Sequence, residues 1–104
     1  IKGTTSNVRR DHVSQLEHHV QNYIEQNNVT EKEVKGLLII NPMRTTCPKD
    51  RHEVHEHQIN LAARYGSLII LTETLLQLLS DKYDKKLNRD QLLQELSKTG
   101  LLNY

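Results

Sequence analysis

Apolar side chains recur at Val13, Leu16, Val20, Tyr23 and Ile24 between Asp11 and about Gln26. That is the stripe of an amphipathic helix, with Asn7 or Asp11 available to cap it. Asn27 and Asn28 close it, and Thr30 to Lys35 forms a polar connection into Gly36-Leu37-Leu38-Ile39-Ile40, which Asn41-Pro42 terminates. A run that is apolar at every position predicts a strand covered on both faces. Pro42 to Lys49 reads as a loop, and Pro48 is suited to the first turn of a helix continuing to Ala63, with Val54, Ile59, Ala62 and Ala63 as a thin apolar face. Tyr65-Gly66-Ser67 breaks that helix. Leu68-Ile69-Ile70-Leu71 then repeats the buried-strand signature, and Thr72 caps a Leu-rich helix holding Leu75, Leu76, Leu78 and Leu79. A last helix follows Asn88, whose spacing to Gln91 is that of a capping box, and Gly100 ends it.

The predicted order is therefore α-β-α-β-α-α, an α/β fold. Two strands nearly thirty residues apart with a helix between them make a parallel βαβ unit. Ile1-Lys2-Gly3, directly before the first helix, reads as the tail of a further strand. No linker, repeat or low-complexity tract divides residues 1–104, so the chain is read as one domain. Ile1 stands where an initiator Met is expected, and the reading is of a processed or truncated piece of a larger domain. A sheet cut short exposes a strand edge and part of an apolar face, which predicts a homo-oligomer, either a dimer or a domain-swapped assembly.

Composition narrows the function classes. Fourteen Lys and Arg face thirteen Asp and Glu, a formal net charge of +1, so no bulk electrostatic case for nucleic acid or membrane arises. The four aromatics are all Tyr, which leaves an aliphatic core and argues against base stacking. A single cysteine, Cys47, excludes an internal disulfide and every multi-cysteine metal site, and is consistent with a reducing, cytoplasmic setting. The longest apolar run is far too short to span a bilayer, so the expectation is a soluble chain with no membrane partner.

Two clusters carry chemistry in principle. Cys47, His52, His55 and His57 lie close together in CPKDRHEVHEH, but neither HExxH nor HxxEH occurs, and a solvated helical face with alternating charge accounts for them. His18 and His19 read as surface residues. Arg9, Arg10, Arg44 and Arg51, with Lys49, fall at the start of the first helix and in the loop after the first long strand. Cations at a helix start are disfavoured by the dipole unless they serve a further purpose, and phosphate contact is such a purpose. Glu33-Val34-Lys35 enters its strand and so faces the amino-terminal edge of the sheet. Parallel α/β sheets bind ligands at the other edge, and Lys2, at the end of its short strand, lies there.

Ile1-Lys2-Gly3, a helix holding Gln15-Leu16, then Lys35-Gly36-Leu37-Leu38-Ile39-Ile40-Asn41-Pro42, Pro48, Arg51, Ala62 and Leu68 to Thr72 followed by Leu75 resemble the restriction-endonuclease-like nucleases of the PD-(D/E)xK superfamily. The resemblance covers nearly the whole chain as an order of elements, through short motifs. It implies the carboxy-terminal part of such a domain, acting on DNA with magnesium. By the resemblance Lys2 is the catalytic lysine, Gln15 the supporting glutamine on the following helix, and Ile1 the residue whose backbone carbonyl reaches the metal. The family's two metal-binding carboxylates would precede Ile1, so the chain alone is expected to be inactive and to hold no magnesium tightly. Two other readings remain beside it: a non-catalytic α/β interaction or assembly module docking through its Leu-rich helices, and a histidine-dependent metal binder.

Overall fold

The continuous apolar runs form the two central strands of a four-stranded parallel sheet in the computed structural model, which describes residues 2–104. In chain order the elements are β1 (Lys2–Gly3), α1 (Arg10–Asn27), a 3-10 turn (Glu31–Glu33), β2 (Leu37–Asn41), a second 3-10 turn (Pro48–Asp50), α2 (Glu56–Arg64), β3 (Leu68–Leu71), α3 (Thr72–Tyr83), α4 (Arg89–Leu96) and β4 (Gly100–Leu101). The strands lie side by side as β1-β2-β3-β4. Register pairs Lys2 with Ile40 and Gly3 with Asn41, Leu37 to Ile40 with Leu68 to Leu71, and Leu68 with Gly100.

Two-residue alternation sends successive side chains of β2 and β3 to opposite faces. Leu38, Ile40 and Ile69 meet Val8, Val13, Val54, Leu61 and Ala62 from α1, α2 and their lead-ins. Leu37, Ile39, Leu68 and Ile70 meet Leu75, Leu78, Leu87, Leu92 and Leu96 from α3, α4 and the connection between them on the other face. Both faces of the sheet are thus covered, as an all-parallel sheet requires. Because the strands advance across the sheet in chain order, the α3/α4 connection, on the face opposite α1 and α2, has the opposite hand to the first two crossovers.

Two glycines stand where helices approach the sheet. A Cβ on Gly36 would lie 2.7 Å from Ser67 Oγ and 3.0 Å from Val20 Cγ2, so α1 can sit on β2 only above a bare backbone. Gly100 has φ +86° and would meet Ile59 of α2 at 3.2 Å, so it combines a left-handed turn with close helix packing.

The structure departs from the expected elements in four places. Gly100 does not end the last helix. That helix stops at Leu96, and Gly100 opens β4, a strand too short to leave a pattern. The helix expected from Pro48 to Ala63 begins only at Glu56, because residues 51–55 are held by other bonds: Asn7 Nδ2 donates to the Glu53 carbonyl at 2.8 Å, and Val54 is buried in the core. The cap of α1 is Arg9 rather than Asn7 or Asp11, and Thr72 is the first residue of α3 rather than its cap. The Asn88 and Gln91 capping box forms as read, with bonds of 2.8 and 2.9 Å. Asn28 closes α1 in the left-handed conformation, its N–H donating to the Ile24 carbonyl.

Candidate functional site

In a sheet whose strands all run the same way, every carboxyl end emerges along one edge. Here Gly3, Asn41, Leu71 and Leu101 end the four strands, and α1 and α2 both start from that edge. Lys2 and Gln15 meet there. The Lys2 ammonium donates to Gln15 Oε1 at 2.5 Å, joining the first strand to the second turn of α1. Both side chains are exposed, so the cation is held in place while open to a ligand.

Beside them, His12 is 5% exposed. Its Nδ1 accepts the Arg9 backbone N–H at 3.0 Å, which satisfies one orphan donor of the helix start. With Nδ1 an acceptor, the neutral ring carries its proton on Nε2, so the Arg9 guanidinium 3.5 Å away meets donor with donor and makes no bond. Burial lowers the His12 pKa below the ordinary 6.5, with Asp11 opposing the shift and Arg9 and Lys2 reinforcing it. An unfolded chain therefore takes up a proton on this ring at a higher pH than the folded one. The His12 contribution to stability is complete above pH 6.5 and is lost as pH falls from there through the lower folded value. Urea unfolding across that range is expected to show wild-type stability declining with acid and His12→Gln declining less; identical pH slopes overturn the assignment.

The four arginines differ in what they do. Arg9 pairs with Asp11 through two bonds, of 3.1 and 3.3 Å. Arg10, the first residue of α1, and Arg44, in the loop after β2, are exposed. Arg51 is half-buried: Nη1 donates to Asn41 Oδ1 at 2.6 Å and Nε to the Thr46 carbonyl at 2.9 Å. It braces the β2 exit loop, and its bonds go to Asn41 and Thr46 rather than to Asp50 or Glu53. Replacing Arg51 with Met leaves both acceptors unpaired and is expected to destabilise by about 1.5–3 kcal/mol, the scale of hydrogen bonds to a charged group. Arg51→Lys is expected to recover little, since one ammonium cannot match a planar fork with two bonds in fixed directions. Denaturant midpoints within error of wild type for Arg51→Met contradict this role.

A cleft of about 140 Å³ opens beside the brace, between the ends of β2 and β3, lined among others by Asn41, Arg51, His52, Glu53, Thr72 and Glu73. Lys35 lies at the opposite, amino-terminal edge as the strand direction requires, where it donates to the carbonyls of Gly66 and Ser97 at 3.0 and 3.3 Å. The cysteine and histidines close together in sequence do not converge on one point as metal ligands would. His55 and His57 stack with ring centroids 5.2 Å apart, Cys47 is exposed, and among the described residues no three His, Cys, Asp or Glu side chains are placed to hold a metal ion. Ile1 lies outside the described residues.

His12 belongs to this edge and carries no motif, and Asn41, read in the sequence only as the close of its strand and part of the resembling segment, holds Arg51 there. His12 does stand four residues before Leu16 and eight before Val20, a spacing that places it on the apolar stripe of α1. Among the described residues no helix is long and apolar enough to cross a membrane. Comparison with protein-family models, with curated proteins and with solved structures gives no match.

Proposed function

We propose that this chain is the carboxy-terminal part of a restriction-endonuclease-like DNA nuclease, a divalent-metal-dependent phosphodiesterase, and is inactive by itself. The observation that carries the reading is the bond from Lys2 to Gln15 at the carboxyl edge of a parallel sheet. A lysine and a helix glutamine distant in sequence and singled out for one site are within bonding distance there. In this role Lys2 meets negative charge developing on a phosphate oxygen, and Gln15, whose carboxamide oxygen is taken up by the ammonium, fixes where that charge is met.

Magnesium, when bound, neutralises phosphate charge and activates water. The residues of this edge do not fit such an ion by themselves. Lys2 and Gln15 offer an ammonium and an amide oxygen already bonded to it, Glu53 and Glu73 line the cleft at the ends of β2 and β3, and among the described residues no three His, Cys, Asp or Glu side chains are placed to hold a hard cation, which needs several carboxylate oxygens. On this reading those carboxylates precede Ile1 in a longer protein. The test is cleavage of supercoiled plasmid, with magnesium present, by a protein extended upstream of Ile1, beside its Lys2→Ala variant. Cleavage that depends on Lys2 is expected. No cleavage by the extended protein, or cleavage indifferent to Lys2, overturns the reading.

A second reading, a non-catalytic assembly module, is favoured by one observation. Leu76, Leu79 and Tyr83 line the outer side of α3 at 61%, 51% and 88% exposure, and Leu93 of α4 adds 52%. A second copy of this chain on that surface forms the expected homo-oligomer, and it is compatible with either activity. The plasmid assay separates the two readings.

A further inference from the structure

We propose that the seam between α1 and α2 seats the phosphodiester backbone of duplex DNA, with Arg10, His57 and Arg64 as its contacts. The two helices pack on the same face of the sheet and start from the same edge, leaving a surface groove of about 380 Å³ lined by Arg10, His57, Gln58, Asn60, Leu61 and Arg64. His57, Asn60 or Leu61, and Arg64 are spaced three, four and seven residues apart, which brings them to one side of α2. Arg10 faces them across the seam from the first turn of α1.

No carboxylate lines this groove. In a chain with thirteen acidic residues and a net charge of +1, two guanidiniums and a histidine lining one groove with no carboxylate in that lining do not follow from composition. Among the described residues the ion pairs are Arg9 with Asp11 and Lys98 with Glu95; Arg64 also lines the adjoining hollow with Glu17 and Glu31, but neither it nor Arg10 is drawn into an ion pair. Guanidiniums present paired donors suited to phosphate oxygens, the Gln58 and Asn60 amides add neutral donors, and buried Leu61 gives the groove a dry floor.

The span argues for a chain of phosphates rather than one. From His57 to Arg64 the helix rises about 10 Å, longer than a single phosphate group. The groove also reaches the carboxyl edge of the sheet, since Arg10 opens α1 there. The inference rests on the nuclease reading for its choice of DNA, but its contacts are separate from the cleavage residues.

The test is fluorescence anisotropy of a short labelled duplex with the 104-residue chain over a salt series, comparing wild type with Arg10→Ala/Arg64→Ala. Losing two phosphate contacts is expected to reduce the slope of log K against log salt by about 2 and to weaken all sequences alike. Both side chains are exposed, so the melting temperature should not move. An unchanged slope in the double variant overturns the seam and leaves the nuclease reading to the plasmid assay; absence of binding by wild type overturns the seam as well. Arginine side-chain NMR resonances that titrate with inorganic phosphate as tightly as with duplex overturn the assignment to DNA.

Discussion

Ile70→Ala is expected to cost about 2–5 kcal/mol of folding free energy, and to lower the melting temperature by at least about 10 °C. Ile70 has no exposed surface and lies on β3, one of the two central strands. Its side chain belongs to the cluster with Leu68, Leu78, Leu87 and Leu102, against which Leu75, Leu92 and Leu96 pack. Truncation removes buried methyl groups and leaves a cavity between sheet and helices, and the helices cannot close it without losing their contacts with Leu37 and Ile39. A domain of this size has roughly 5–15 kcal/mol in all, so a single truncation here takes a large share. Leu79→Ala on the outer side of α3, where the residue is 51% exposed, is the contrast and is expected to move stability by less than about 0.5 kcal/mol. Equal effects from the two substitutions, measured by urea unfolding, contradict this placement of the core.

The same contrast shows what was legible in the chain. β2 and β3 are written in unbroken aliphatic runs because both of their faces are covered, and that signal survives without any partner in view. β1 and β4 are two residues each, shorter than any period, and exist because β2 and β3 offer them backbone partners. Residues 51–55 have helix-compatible composition but are drawn into an extended path by tertiary bonds, from Asn7 to the Glu53 carbonyl and from Arg51 to Asn41 and Thr46. Propensity gives way there because these bonds, two of them from a charged group, together with the burial of Val54, outweigh what a few residues of helix gain. At the candidate site, Lys2 and Gln15 were singled out by resemblance, and the fold brings them together. His12 and the bracing role of Arg51 depend on burial and on distant partners, which spacing alone does not reveal.

If the nuclease reading holds, then in a protein extended upstream of Ile1 Lys2→Ala is expected to lower plasmid cleavage by about 10²–10³-fold, the loss that follows removal of one preorganised donor from developing charge. Gln15→Ala is expected to cost about 10–100-fold, since Gln15 acts through Lys2 as a positioning residue. The ammonium reaches the edge of the sheet on a flexible four-carbon stem, and the bond to Gln15 Oε1 is the contact that fixes it there. Without the glutamine the charge remains but samples many positions, so the loss should fall on kcat with KM nearly unchanged. Gln15→Glu retains an acceptor at the same reach and is expected to recover much of the rate, although its added negative charge also opposes the phosphate. Because the effect of Gln15 is transmitted by Lys2, the double variant should be no slower than Lys2→Ala alone. Additive losses in that cycle would make Gln15 an independent contact, and a Gln15→Ala enzyme as fast as wild type would leave the bond at this edge with a structural role only.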